Sequence, residues 1–112
     1  MSSMNAAQAI QYQMGKLQLE IVQYTTSYYS QETKFQLLLL YVDAIRAGLS
    51  NRIAYLQPLA AWVEAIGNYS LSYYQTISAM SDPNQILATQ WDLTQTGAIP
   101  NITLMAALQI NN

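Results

Sequence analysis

The 112-residue chain has a formal charge of −2, and Asp, Glu, Lys and Arg make up only 9% of it, where a soluble domain usually carries about a quarter. Its four cations, Lys16, Lys34, Arg46 and Arg52, are scattered, so the clustered charge needed to neutralise nucleic-acid phosphates or to seek an anionic membrane surface is missing. With no His and no Cys, disulfides, thiolate metal sites and the commonest catalytic bases and nucleophiles are excluded.

Polarity comes instead from Gln, Asn, Ser and Thr, which total 37 residues and lose water at far lower cost than ions do. No composition shift marks a second unit, so a single domain over residues 1–112 is expected. The amino terminus lacks the basic start and apolar core of a Sec-type signal, and Asp43 and Arg46 interrupt the longest apolar run, Leu37 to Val42, well short of a bilayer span.

Ala7, Ile10, Met14, Leu17, Ile21, Tyr24 and Tyr28 recur at steps of three and four and predict a long helix over about 5–29, which Gly15 weakens without breaking. Ser30 suits an N-cap, with Glu32 in the first turn, and Leu38, Val42, Ile45, Leu49, Ile53 and Leu56 predict a second helix over about 31–56. Asp43 and Arg46 lie one turn apart on its wet side, and the leucine run 37–40 reads as a helix buried on several sides. Pro58 ends or kinks that helix and equally suits the start of a third, over about 58–78, with Trp62 in its core. Gly67 and Asn68 are a plausible stop, so residues 69–80 read either as a continuation or as a separate short helix.

Asp82 and Pro83 open a fourth helix over about 83–96, with Ile86, Leu87, Gln90 and Leu93 on one side and Gly97 at its end. A tail, 97–112, follows without a charged side chain. No stretch alternates as a strand would. The expected fold is all-α, a small antiparallel helical hairpin or bundle with a long N-terminal helix and short C-terminal helices.

The six acids, Glu20, Glu32, Asp43, Glu64, Asp82 and Asp92, are never three or four residues apart, so no local carboxylate pair suggests catalysis or metal binding. A non-enzyme with no cofactor or metal is expected. Tyr28, Tyr29, Tyr73 and Tyr74 form pairs beside Ser and Thr, and a Tyr ring buries well while its hydroxyl stays wet. These tyrosines are candidate interface anchors or the rim of an ordinary core. Trp91 and the neutral tail, with Ile102, Met105 and Leu108, complete the candidate interface. Removing residues 97–112 should then abolish assembly while sparing the helices.

The stretch Ser81 to Asn101, SDPNQILATQWDLTQTGAIPN, resembles the turn and second-helix start of needle and inner-rod subunits of type III secretion systems. Asp82, Pro83, Ile86, Gln90 and Leu93 fit that frame, and Asn101 falls where several members carry Asn. Ser81, Asp82 and Pro83 would be the family's turn. The resemblance covers under a third of the chain; Pro100 and the lack of charge in the second helix depart from it. It implies a helical hairpin that polymerises into a tube with its C-terminal helix lining the channel.

Together these features point to a structural subunit that packs with copies of itself, alone or along with other assembly proteins, into a filament, tube or virion-like shell outside the cell. A small helical adaptor or chaperone-like module that holds one protein partner in the cytoplasm is the alternative. Neither reading involves nucleic acid or a membrane span.

Overall fold

The computed structural model describes residues 3–112, and it is all-α: among these residues there is no strand. Helix α1 (Ala6–Thr26) starts on a capping box, in which the Asn5 side chain accepts from the Gln8 backbone N–H and the Gln8 side chain accepts from that of Asn5. A four-residue turn follows. Ser30 then caps α2 (Gln31–Ala47), with Glu32 in the first turn and Arg46 in the last, both favourable to the helix dipole.

The second helix stops well before the expected residue 56. Gly48 takes a left-handed conformation (φ 70°), its N–H and that of Leu49 return to carbonyls of α2, and the chain reverses. An L-residue in that conformation is strained, whereas an added Cβ would touch nothing. Gly48→Ala should therefore lower stability by about 1 kcal/mol. Gly15→Ala, in an exposed helix interior with equally open space, should raise it by about 0.5–1 kcal/mol. Urea unfolding of the two variants reads the opposite signs.

Helix α3 (Ser50–Ser78) runs straight through both expected interruptions, Pro58 and Gly67–Asn68, which settles residues 69–78 as its continuation. Pro58 faces solvent, while Leu56, Leu59 and Trp62 on either side of it are buried. An interior proline costs about 3 kcal/mol, and burying those three large side chains more than offsets it at roughly 1.5–3 kcal/mol each.

The expected fourth helix breaks into pieces. Helix α4 (Pro83–Ala88) is capped by Asp82 with Pro83 at its first position, as read from the sequence, but it ends at Thr89. Extended backbone leads to a 3₁₀ turn (Leu93–Thr96) capped by Asp92, then past Gly97 to a short helix, α5 (Leu104–Leu108). Gln90 and Leu93 thus do not share a helical face with Ile86.

Contacts trace the path of this last segment. Ile86 packs with Ala9 and Ile77 at one end of the molecule, and Ile102 and Ala107 pack with Leu37, Leu56, Leu59 and Trp62 toward the other. Residues 83–112 thus form a strap along one groove between the α1–α2 arm and α3. At its end the Asn112 backbone oxygen accepts from the Arg52 N–H (2.8 Å), which compensates for the lack of a side-chain cap on α3. The result is a rod of 60 × 23 × 20 Å with a radius of gyration of 17.8 Å, against about 13 Å for a compact chain of this length.

Candidate interaction surface

The strap absorbs several residues expected at an interface. Tyr73 is buried, its hydroxyl donating to the Thr89 carbonyl (2.8 Å) and accepting from Gln13 Nε2 (2.9 Å); Gln13, itself buried, also donates to Thr89. Trp91 stacks edge-on against Tyr73 at 5.3 Å, donates its indole N–H to Glu20, and lies 5.8 Å from Lys16 Nζ. The Tyr29 hydroxyl donates to the Pro100 carbonyl and accepts from the Ile102 N–H, and the Tyr55 hydroxyl accepts from Thr103 N–H. Ile102 is buried in the main core.

The tail is therefore packed within its own chain, so removing residues 97–112 takes away intramolecular contacts as well as any contact with other copies. Four of the candidate residues remain at the surface: Tyr28, Tyr74, Met105 and Leu108 are 46–66% exposed. Tyr28 meets Tyr24 and Trp62 edge-on, and Tyr74 borders a shallow groove with Ala7, Ile10 and Met14.

Gln13 and the outer face of α2 were not singled out by the sequence pattern. The signal for Gln13 was its position four residues before Leu17, on the flank of the apolar stripe. Contact with the strap turns the buried face of α1 onto Ala9, Gln13 and Leu17 and leaves Ala7 exposed. On α2, the buried side is Leu37 and Ala44, with Leu40 and Tyr41 partly covered. Val42 and Ile45, expected inside, are 52% exposed, as is Leu39, and Phe35 is 64% exposed. The leucine run is consequently divided between two faces: Leu37 points in and Leu39 points out.

The groove opposite the strap is open. At the junction of α1, α2 and α3, Ile21, Phe35, Leu38, Trp62, Val63 and Ile66 line a hollow of about 500 Å³, with Thr25, Gln31 and Lys34 at its margin. Lys34 folds back to donate to the Thr25 hydroxyl (2.6 Å), and burial lowers its amine below the ordinary 10.5.

Tyr24, Tyr73, Lys34 and Asp92 shape the pH response. Burial raises the phenols of Tyr24 and Tyr73 above 10.0; nearby Tyr28 and Asp92 add to the shift at Tyr24, and Thr96 opposes it, while Gln13 opposes and Tyr69 adds at Tyr73. Raised phenols give stability that is present below pH 10 and lost as pH climbs through their folded values. Lys34 acts oppositely, its desolvation cost being relieved as pH rises toward 10.5. Hydrogen bonds from Thr94 hold Asp92 below 3.8, giving stability that is lost only in acid. Urea midpoints should accordingly fall as pH climbs above the ordinary phenol value of 10.0 and through the raised values of Tyr24 and Tyr73.

Among the described residues no helix is long and apolar enough to cross a membrane, and no three acidic side chains group as metal ligands would. Comparison with protein-family models, curated proteins and solved structures finds no match. What this geometry offers is a surface: fifteen large hydrophobic side chains stand exposed among the described residues, on a chain with ten ionisable Asp, Glu, Lys and Arg.

Proposed function

We propose that this protein is a non-catalytic structural subunit that assembles with copies of itself, through lateral packing of its rods, into a filament, tube or shell. The observation that carries the reading is the outer side of α2, where Phe35, Leu39, Val42 and Ile45 are all more than half exposed although α2 already buries its opposite side in the core. Contiguous apolar surface of this kind marks an interaction site, and a net charge of only −2 opposes the approach of copies weakly. Uncharged amide and hydroxyl side chains around it lose water cheaply. An assembly outside the cell, such as a secretion fibre or virion, suits a chain whose stability depends on few carboxylates.

The apolar hollow beside Trp62 favours a second reading, a helical adaptor that seats one partner helix there. Light scattering coupled to size-exclusion chromatography separates the two. Large particles or an open series of oligomers, visible as filaments or shells by negative-stain microscopy, support the structural subunit. A discrete species that binds one other protein supports the adaptor.

A further inference from the structure

We infer that the outer face of α2 pairs with the same face of a second copy, antiparallel, about a two-fold axis near Leu39. This rests on the self-assembly reading and specifies its first contact. Glu32, Phe35, Leu39, Val42 and Arg46 follow one another at steps of three, four, three and four, which places all five on one side of α2. All five are exposed. The three apolar members form the centre of the stripe, Glu32 and Arg46 close its two ends, and exposed Asp43, four residues after Leu39, lies on its flank beside Arg46.

That arrangement carries directional information. Glu32 and Arg46 are each seven residues from Leu39 and about 21 Å apart along the helix. A parallel pairing in register would set Glu32 against Glu32 and Arg46 against Arg46. Turning the second helix end for end about Leu39 sets each Glu32 opposite the other copy's Arg46, so both charges are neutralised across the contact. Phe35 and Val42 then interleave around the axis, and the helices approach at the 8–10 Å spacing of packed helices.

The contact surface is limited. A face 17 residues long is about 25 Å by 10 Å, below the roughly 800 Å² per partner of a stable two-protein complex. The pairing is thus a weak link whose effect depends on repetition. It also leaves the rods staggered, with Tyr12, Leu19 and Val22 of each α1 still uncovered for a further contact.

The chain has no native Cys, so cross-linking reports the axis without background. Leu39→Cys places a thiol near its own copy, while Leu71→Cys, at 55% exposure on α3, is the off-axis control. Under mild oxidation Leu39→Cys should form disulfide-linked dimers at least tenfold faster than Leu71→Cys. Glu32→Arg alone should weaken self-association by about tenfold, and Glu32→Arg with Arg46→Glu should restore it. If the wild-type chain associates but Leu39→Cys reacts no faster than the control, or the double reversal stays as weak as the single one, the pairing is overturned and the self-assembly reading stands. A wild-type chain that remains monomeric overturns both.

Discussion

A chain ending at residue 96 should lose most of its stability, with a thermal transition that is broad and displaced far below that of the full chain. The deletion takes Ile102 and Ala107 out of the cluster that contains Leu37, Leu56, Leu59 and Trp62, leaving that surface bare. Removing a buried Ile side chain alone costs about 2–5 kcal/mol. The same cut removes the partners of Tyr29, Tyr55 and Arg52, whose bonds to Pro100, Ile102, Thr103 and Ile110 hold the strap. Domains of this size are stable by only about 5–15 kcal/mol in total, so the combined loss is a large fraction of the whole. Ile102→Ala is the graded version, expected to cost about 2–4 kcal/mol with the fold retained. Circular dichroism melting checks both, and an unchanged midpoint in the truncated chain would show that the strap is dispensable.

Replacing Phe35, Leu39 and Val42 together with Gln should have the opposite profile: little change in melting and a large loss of association. These side chains are 52–64% exposed, so the folded monomer gains little from them. Long polar side chains are also good helix formers. In a contact between copies each apolar side chain is worth about 1.5–3 kcal/mol when fully buried, and each 1.4 kcal/mol is tenfold in affinity. The triple variant should therefore associate at least a hundredfold more weakly at an unchanged urea midpoint. The reverse outcome, a destabilised chain that still assembles, would mean that the stripe serves the fold and not the contact.

Local chemistry made several elements readable from the sequence. Ser30, with Glu32 behind it, marks the start of α2, and Asp82 with Pro83 starts α4, because caps and proline positions act over a few residues. The periodicity of α1 gave its existence and, within a few residues, its ends. The signals that failed were the ones that depend on distant partners. Pro58 is an ordinary helix end judged locally, yet packing of Leu59 and Trp62 carries α3 through it. Gly48, which does end α2, lies inside a run of three- and four-residue spacings that continues smoothly to Leu56, and only its left-handed backbone reveals the stop.

The surface was harder to read than the fold. Tyr29, Tyr73, Trp91 and Ile102 have the chemistry of interface anchors, and that chemistry is used, but on the strap of the same chain. Distinguishing an internal partner from an external one requires knowing that residues 83–112 fold back along the rod. Conversely, Val42 and Ile45 fit a core stripe as well as any residues in the chain, and α2 exposes them because Leu37 and Ala44 already face α3. A helix apolar on both sides has two stripes, and periodicity alone does not say which one is covered internally.

Sedimentation equilibrium of the purified full-length chain, from micromolar to millimolar concentration, tests most directly whether the exposed stripes are covered by other copies. The weight-average mass should rise continuously above the 12.5 kDa of one chain as concentration increases, without a companion protein. A mass that stays at 12.5 kDa up to millimolar would mean that a single rod tolerates these apolar faces in water, and lateral self-packing would have to be abandoned.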